Sequence, residues 1–202
     1  MPKRPPGHME AQRARILRAT LHCISELGIE RTSISEIRKE AGLSAGALYT
    51  HFASKDEIVV EALRAASVKE AYLPDTWPEL IAAIASMADG EGFDVTTVAR
   101  SQLQVFAMAI RPGPLHDLLK PLIDDALALV VRHLATMAAA DRVRLRMSPL
   151  RTALAIGAIK DGMVWSGLAL DRPFEEIESD IASAISCLAD PAKADGAASG
   201  DR

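Results

Sequence analysis

The sequence predicts an all-α protein. Only 4% of its 202 residues are aromatic while 49% are apolar, and the abundance of alanine, leucine, isoleucine and arginine favours helices over strands. Apolar residues recur at helical spacing between cap and breaker residues, with no strand-like alternation. The charged fraction of 25% is that of a folded globular protein, so a wholly disordered chain is excluded.

Composition divides the chain into four segments. Residues 1–8 contain three prolines and one glycine, and they are predicted to form a flexible, non-helical basic arm. Residues 9–68 are expected to form an N-terminal helical domain, and residues 69–189 a larger helical domain. Residues 190–202 are expected to be a disordered tail.

Charge is distributed unevenly between these segments. The formal net charge is −4, but residues 1–64 hold ten Lys or Arg against eight Asp or Glu, which gives +2. The remainder holds 13 basic and 19 acidic residues, which gives −6. A positive N-terminal segment on an acidic protein favours a polyanionic partner for that segment.

The first two helices have clear ends. A helix is predicted from about Glu10 to Leu27, where Gly28 supplies the C-terminal cap. Ser33 and Glu36 have the spacing of a capping box at the start of a second, short helix. Gly42 can adopt the left-handed conformation of a tight turn, which ends that helix.

Two more helix starts follow the glycine turn. Ser44 is a good N-cap for a short helix that runs to His51, with Leu48 facing inward. Ser54 and Glu57 form a second capping box, which opens a longer helix. A glycine turn between two short helices, with a helix on either side, is the layout of a helix-turn-helix domain.

The helix after the glycine turn is the one that such a domain places in the DNA major groove. Thr32 and Ser33, and the helix start at Ser54 and Lys55, stand where phosphates would be held. The small side chains of the reading helix would let the backbone approach the duplex, and its polar residues can donate hydrogen bonds. The exposed residues expected on that helix are Ser44, Ala45, Gly46, Ala47, Tyr49, Thr50 and His51.

The segment TSISEIRKEAGLSAGALYTHFASKDEI resembles the DNA-binding domain of the TetR family of transcriptional repressors. The matching elements are Thr32-Ser33-Ile34, Ile37, Glu40-Ala41-Gly42-Leu43-Ser44, Gly46-Ala47-Leu48-Tyr49, His51-Phe52 and Ser54-Lys55-Asp56-Glu57. The resemblance implies a homodimer that represses transcription at a palindromic operator and is released by a small ligand bound in the C-terminal domain.

The resemblance also assigns roles by position. It implies that phosphates are held mainly by Thr32, Ser33, Tyr49, His51 and Lys55. It places Ser44, Ala45, Ala47 and Thr50 nearest the bases. Many relatives carry a basic residue where Ala45 stands, so base reading is expected to depend more on Arg38, Lys39 or the N-terminal arm.

Helices in the rest of the chain are expected near 78–88, 94–111, 121–141, 149–170 and 174–188, separated by Gly-rich, Pro-rich and charged breaks. The last two are amphipathic and carry several glycines, and in the resembled family the last two helices form the dimer. A core role within one protomer is the alternative for the same residues. The predicted interface residues are Leu154, Ile159, Leu168, Ile177, Ile181, Ile185 and Leu188.

A ligand site in the C-terminal domain is predicted from its large, adaptable apolar residues. Such a pocket would favour a hydrophobic or aromatic compound, although Asp117, Asp124, Asp125 and Asp161 leave room for a cationic one. Ordinary core packing is the alternative for each residue. The candidates are Trp77, Met87, Phe93, Phe106, Met108, Met137, Met163 and Trp165.

Other functional classes find little support in the sequence. The five histidines are scattered and no CxxC or HExxH occurs, so neither a metal nor another cofactor is expected. No nucleophile, phosphate-loop or dinucleotide motif indicates an enzyme. The alternatives are a helical protein-interaction module or an all-α enzyme without sequence-specific DNA binding. Two cysteines and no signal or transmembrane segment predict a cytoplasmic protein.

Overall fold

The computed structural model describes residues 6–66, 73–86 and 94–191, and these are almost entirely helical. The all-α prediction is confirmed, with a helix-turn-helix followed by further helices. Within the described ranges no helix is long and apolar enough to cross a bilayer. The helices are α1 (Pro6–Leu27), α2 (Ile34–Glu40), α3 (Ala45–Tyr49), α4 (Lys55–Ala65), α5 (Trp77–Ala85), α6 (Val95–Ala109), α7 (Pro114–Ala139), α8 (Pro149–Ala169) and α9 (Phe174–Ser186).

The first helix begins earlier than the sequence predicted. The structure starts α1 at Pro6, so the expectation that residues 1–8 are non-helical is wrong for residues 6–8. Proline is favoured at the first position of a helix, where its missing amide has no partner to lose. Residues 1–5 of the predicted arm lie outside the described residues.

The long helix α7 also begins earlier than expected. A start near Pro121 was predicted, but the helix begins at Pro114 and carries Pro121 inside. The amide of Asp117 donates to the carbonyl of Gly113 at 3.0 Å, so the first turn is already closed. Pro121 has no amide to donate, and the helix continues through it without that one bond.

A short antiparallel ladder was missed at the sequence level. Strand β1 (Val143–Leu145) pairs with β2 (Ala189–Pro191), and Arg144 faces Asp190 across the ladder. The expected tail therefore starts too early, because residues 190 and 191 are paired; residues 192–202 lie outside the described residues. The Asp190 carboxylate accepts hydrogen bonds from Arg144 and Arg146 at 3.1 and 2.8 Å, and these contacts lower its pKa.

The described residues form two compact units that are not contiguous in sequence. Residues 6–66 and 94–125 form the first unit, and residues 73–86 and 126–191 form the second. The packing boundaries therefore differ from the predicted division near residue 68, because α6 and the first part of α7 pack with the N-terminal helices.

The first unit is built around α1, which packs against α2, α4 and α6. Its interior is made of aliphatic side chains at helical spacing, most of them fully buried. Helix α6 adds Val105, and α7 adds Leu119, to the same core. Fully buried members include Ile16, Leu21, Ile24, Ile37, Leu48, Ile58, Leu63, Val105 and Leu119.

The second unit is built around α9, which packs against α5 and α8. Ile177, Ile181 and Ile185 form its buried stripe, spaced four residues apart on one face of α9. Gly167 of α8 lies so close to Ile177 that a Cβ at this position would overlap its side chain. The glycine therefore permits the close approach of α8 and α9.

Candidate nucleic-acid interface

The turn between α2 and α3 depends on Gly42, which has φ +59°. The Gly42 amide donates to the carbonyl of Lys39 at 3.1 Å, and the Leu43 amide donates to that of Arg38 at 2.9 Å. A side chain at Gly42 would also meet the guanidinium of Arg15. The left-handed backbone is what requires glycine here, because the flexible end of the Arg15 side chain could move away from a Cβ.

Serine side chains cap the three helices that follow α1. Ser33 Oγ, Ser44 Oγ and Ser54 Oγ each accept a hydrogen bond from the backbone amide three residues on, at 3.1–3.2 Å. Glu57 also reaches back at this helix start, where its Oε2 accepts from the amide of Ala53, the residue before the Ser54 cap, at 2.6 Å. These caps fix where each helix starts, and hence which residues of α3 face outward.

Helix α3 has one buried and one open face. Leu48 is 0% exposed, and Phe52, which follows the helix, is 3% exposed. Tyr49 is 59% exposed, so its phenol is free to meet a partner. The predicted reading residues that are exposed are Ser44, Ala45, Gly46, Tyr49 and Thr50, while Ala47 and His51 are half-buried.

Arg13 of α1 supports the segment that follows α3. Its guanidinium lies 5.1 Å from the centre of the Phe52 ring and forms an ion pair with Glu61 of α4. The ring of His51 lies 6.2 Å from that of Phe52, and its Nε2 is buried without a hydrogen-bond partner among the described residues. These contacts anchor the end of α3 to α1 and α4.

Two predicted phosphate contacts are engaged inside the protein instead. Thr32 is 1% exposed, and its Oγ1 donates to the carbonyl of Gly28 at 2.9 Å. Lys55 Nζ donates to the carbonyls of Ile29 and Thr32 at 3.1 and 3.0 Å. The Thr32 hydroxyl is therefore removed from the candidate surface, and Lys55 chiefly ties α4 to the loop between α1 and α2.

Thr50, predicted to lie near the bases, also uses its donor internally. Its Oγ1 donates to the Gly46 carbonyl at 2.8 Å, which leaves the hydroxyl as an acceptor. The exposed cations Arg38 and Lys39 lie in the last turn of α2. Neither makes a side-chain hydrogen bond or ion pair within the described residues, so both are available to a polyanion.

The thiol beside this module is unreactive. Cys23 is buried in α1, and this burial raises the pKa of its thiol to about 11, with Glu40 and Glu36 adding to the shift. A protonated, buried thiol is neither a nucleophile nor a metal ligand. Within the described ranges no group of three or more potential ligands could hold a metal ion.

The predicted ligand residues do not gather at one site. Trp77 and Met137 are buried in the second unit, whereas Met108 is 41% exposed on α6. Met163 and Trp165 are half-buried on α8. Met87 and Phe93 lie outside the described residues.

Phe106 lines a cavity of about 180 Å³ in the first unit. His116 stands at this cavity with its Nδ1 2.7 Å from the Ala109 carbonyl, and Lys120 is paired with Asp124. The walls are otherwise apolar. The lining residues are Phe106, Ala109, Ile110, His116, Leu119, Lys120 and Ile123.

The predicted dimer residues fall into two groups. Ile177, Ile181 and Ile185 are each 0% exposed in a single chain, so their side chains are not available to a second copy. Their assignment to the interface is corrected, because α5 and α8 of the same chain cover them. Leu154 is 53% exposed, whereas Ile159, Leu168 and Leu188 are half-buried.

Known proteins resemble both the N-terminal module and the whole fold. Residues 16–62 match the family described as bacterial regulatory proteins, tetR family. The N-terminal module of the chain is therefore similar to that of the TetR family. The matched range contains the capped helices, the Gly42 turn and the exposed face of α3.

Individual relatives match over the same part of the chain. The HTH-type transcriptional regulator YvdT of Bacillus subtilis is 41% identical over 59 residues, which are 29% of this chain and 28% of YvdT. The HTH-type transcriptional repressor KstR2 of Mycobacterium tuberculosis is 38% identical over 61 residues, 30% of each chain. The match thus spans less than a third of these relatives, whose names are those of regulators rather than enzymes.

Solved structures extend the likeness to the fold as a whole. A TetR-family transcriptional regulator from Rhodococcus sp. superposes with a TM-score of 0.73 at 18% identity, over 89% of this chain and 98% of that one. The multidrug binding protein EbrR, complexed with imidazole, gives a TM-score of 0.57 at 27% identity, over 90% of this chain and 93% of EbrR.

Proposed function

We propose that this protein is a homodimeric transcriptional repressor that binds a palindromic operator and is released by a small, hydrophobic ligand. The observation that carries the proposal is the open face of α3. This helix is capped by Ser44, and the exposed cations Arg38 and Lys39 precede it in the last turn of α2. A helix presented in this way fits the major groove, and cations beside it attract the phosphate backbone.

The proposed polar contacts to DNA rest on the side chains that are exposed. Tyr49 and Ser33 remain exposed and suited to phosphates, and Arg38 and Lys39 join them. Small residues of α3 bring the backbone near the bases, with Thr50 as an acceptor. Half-sites would lie about 34–36 Å apart if two such helices read one face of the duplex.

The dimer face is proposed on α8. Leu150 and Leu154 are 48% and 53% exposed, and Gly157, Ala158 and Gly162 continue the same face of the helix. Leu154→Glu should therefore yield monomers with weak operator affinity. Leu170→Glu is the matched control, because Leu170 is 71% exposed at the end of α8 on a different side. An unchanged dimer for Leu154→Glu in sedimentation would place the interface elsewhere.

The effector site is proposed at the cavity beside Phe106. Its volume of about 180 Å³ exceeds the ~150 Å³ that accommodates benzene in an engineered cavity, so a single-ring compound is the expected size. The polar groups on its wall are His116 and Lys120, whereas the aspartates of α7 do not line it. Because His116 contacts the Ala109 carbonyl and Lys120 is paired with Asp124, this favours a neutral compound over a charged one.

Selection of duplex DNA from a random pool at near-physiological salt tests the proposal. A palindromic consensus supports a dimeric operator-binding regulator, and that duplex then serves to screen single-ring compounds for release. Retention that is steeply salt-dependent but yields no consensus would mean non-specific binding and would favour the interaction-module alternative. No retention at low salt would refute DNA binding.

A substitution separates the two parts of the function. Ile123→Trp should fill the cavity and abolish the response to a releasing compound while operator affinity is kept. Leu103→Trp is a control on α6, since Leu103 is 44% exposed and does not line the cavity. A response that survives Ile123→Trp would place the effector elsewhere.

A further inference from the structure

Helix α6 holds the end of α1 and the following loop by two polar contacts. Ser101 Oγ donates to the carbonyl of Leu21 at 2.8 Å, and Gln104 Oε1 accepts from the amide of Ile29 at 3.2 Å. Ser101 is 0% exposed, so its contact is closed to water. Residues three apart share one face of a helix, and this face of α6 is thereby fixed to α1.

The loop that Gln104 reaches, residues 28–32, is held from two sides. Lys55 of α4 donates to the carbonyls of Ile29 and Thr32, while Gln104 of α6 takes the Ile29 amide. Gly28 adopts φ +84°, and a Cβ there would lie 3.2 Å from Gln104 Oε1. The glycine thus serves both the left-handed turn and the close approach of the glutamine.

We propose that Gln104 is a positioning residue for DNA binding. It fixes loop 28–32, and with it the start of α2 at Ser33, from a helix that lies outside the helix-turn-helix. The inference rests on the proposed operator binding. Without this contact the loop is held from the Lys55 side only. Part of its ordering is then left to DNA binding, and the entropy of that ordering reduces the affinity.

The same helix connects this contact with the cavity. Phe106, Ala109 and Ile110 line the cavity from the last two turns of α6, directly after Gln104 in the chain. A ligand that displaces these turns would strain the Gln104 contact, which links occupancy of the cavity to the geometry of loop 28–32. A ligand acts in this way only through a difference in affinity between two states.

Two substitutions at one position isolate the hydrogen bond. Gln104→Met keeps the length of the side chain and removes the acceptor, whereas Gln104→Glu keeps an acceptor oxygen. Gln102→Met is the matched control, because Gln102 makes no side-chain hydrogen bond within the described residues. Operator affinity of the full-length variants is measured on the duplex that the wild-type protein selects, together with hydrogen exchange at the Ile29 amide.

The expected results differ between the variants. Gln104→Met should weaken operator affinity about 3- to 10-fold, the range that one ordinary hydrogen bond is worth. Its Ile29 amide should also exchange faster. Gln104→Glu keeps an acceptor oxygen, and Gln102 makes no side-chain hydrogen bond within the described residues. Both variants should therefore bind within about twofold of wild type, which is less than the loss of one hydrogen bond would cause.

Three outcomes would overturn the inference. Faster exchange at Ile29 with unchanged affinity would show that the contact is structural only. Equal losses for Gln104→Met and Gln104→Glu would show that the acceptor is not the cause, as would an equal loss for Gln102→Met. A wild-type protein that selects no operator would instead refute the proposed function. Hydrogen exchange at the Ile29 amide needs no DNA, so it tests the Gln104 contact separately from that function.

Discussion

Alanine substitutions at three glycines of α8 would separate helix propensity from close packing. Gly157 and Gly162 are exposed, and a Cβ at either would meet no heavy atom within 4 Å. Gly167 is buried, and its Cβ would overlap Ile177 Cδ1 and lie 2.6 Å from Cγ1. The three sites share one helix and differ mainly in what surrounds them.

The magnitudes follow from these surroundings. Within a helix, alanine is favoured over glycine by about 0.8–1.0 kcal/mol, so Gly157→Ala and Gly162→Ala should each raise the free energy of unfolding by that amount. At Gly167 the same gain is opposed by overpacking, which typically costs about 1–3 kcal/mol. Ile177 is 0% exposed, so its side chain cannot move into solvent to relieve the overlap. The free energy of unfolding should therefore fall by about 1 kcal/mol.

Urea unfolding followed by circular dichroism measures the effect. It should be run at two protein concentrations, because association adds a concentration-dependent contribution to stability. The midpoint should fall for Gly167→Ala and rise for the other two at the lower concentration. If Gly167→Ala were as stable as Gly157→Ala, then Ile177 would be able to repack and the close approach of α8 and α9 would not depend on the glycine.

Further predictions concern buried polar groups and thiols. Thr152 is 0% exposed and its hydroxyl has no hydrogen-bond partner among the described residues, so Thr152→Val should raise the free energy of unfolding by about 1 kcal/mol; a loss in calorimetry would reveal a partner. Burial raises the pKa of Asp161, and Lys160 opposes this only partly. The folded protein therefore favours the protonated form of Asp161. The contribution of Asp161 to the free energy of unfolding is fully present below the ordinary pKa of 3.8 and is lost as the pH rises through the raised pKa. Asp161→Asn should accordingly gain stability over wild type at pH 7 but not at pH 3.5, and an equal difference at both would contradict the shift. In native protein at pH 8, a thiol reagent should label exposed Cys187 and spare Cys23; equal labelling in mass spectrometry would show that α1 opens.

The helix-turn-helix could be predicted almost completely from the sequence because its signals are local. Ser33, Ser44 and Ser54 cap the helices that they were expected to cap, and Gly42 makes the expected turn. Each such signal depends on residues within four positions of one another. Local chemistry of this kind does not depend on the rest of the fold.

The fates of individual polar side chains could not be predicted in the same way. Lys55 and Thr32 carry the same groups whether they face a phosphate or a backbone carbonyl. For Lys55 the choice is made by the carbonyls of Ile29 and Thr32, which lie 26 and 23 residues away in the chain. The β1–β2 ladder is another non-local feature. A strand of three residues is too short to show a clear alternation of apolar and polar residues, so the sequence does not predict its pairing with a strand more than 40 residues away.

Amphipathic pattern also failed to distinguish an interior from an interface, and α8 and α9 show why. The isoleucines of α9 form one apolar stripe, and its open side carries acidic residues such as Glu175, Glu176 and Asp180. A helix with one apolar stripe needs one packing surface, which α5 and α8 already supply.

Helix α8 is different, because it is apolar on two sides. It buries Ile156 and Val164 within the second unit, and it also exposes Leu150 and Leu154. Only Arg151, Lys160 and Asp161 are charged among its 21 residues. A helix that is apolar on two sides requires a second partner, and under the proposed function that partner would be the α8 of another copy. The proposed dimer contact is therefore assigned to the exposed leucines and small residues of α8, since the isoleucines of α9 are buried within one chain.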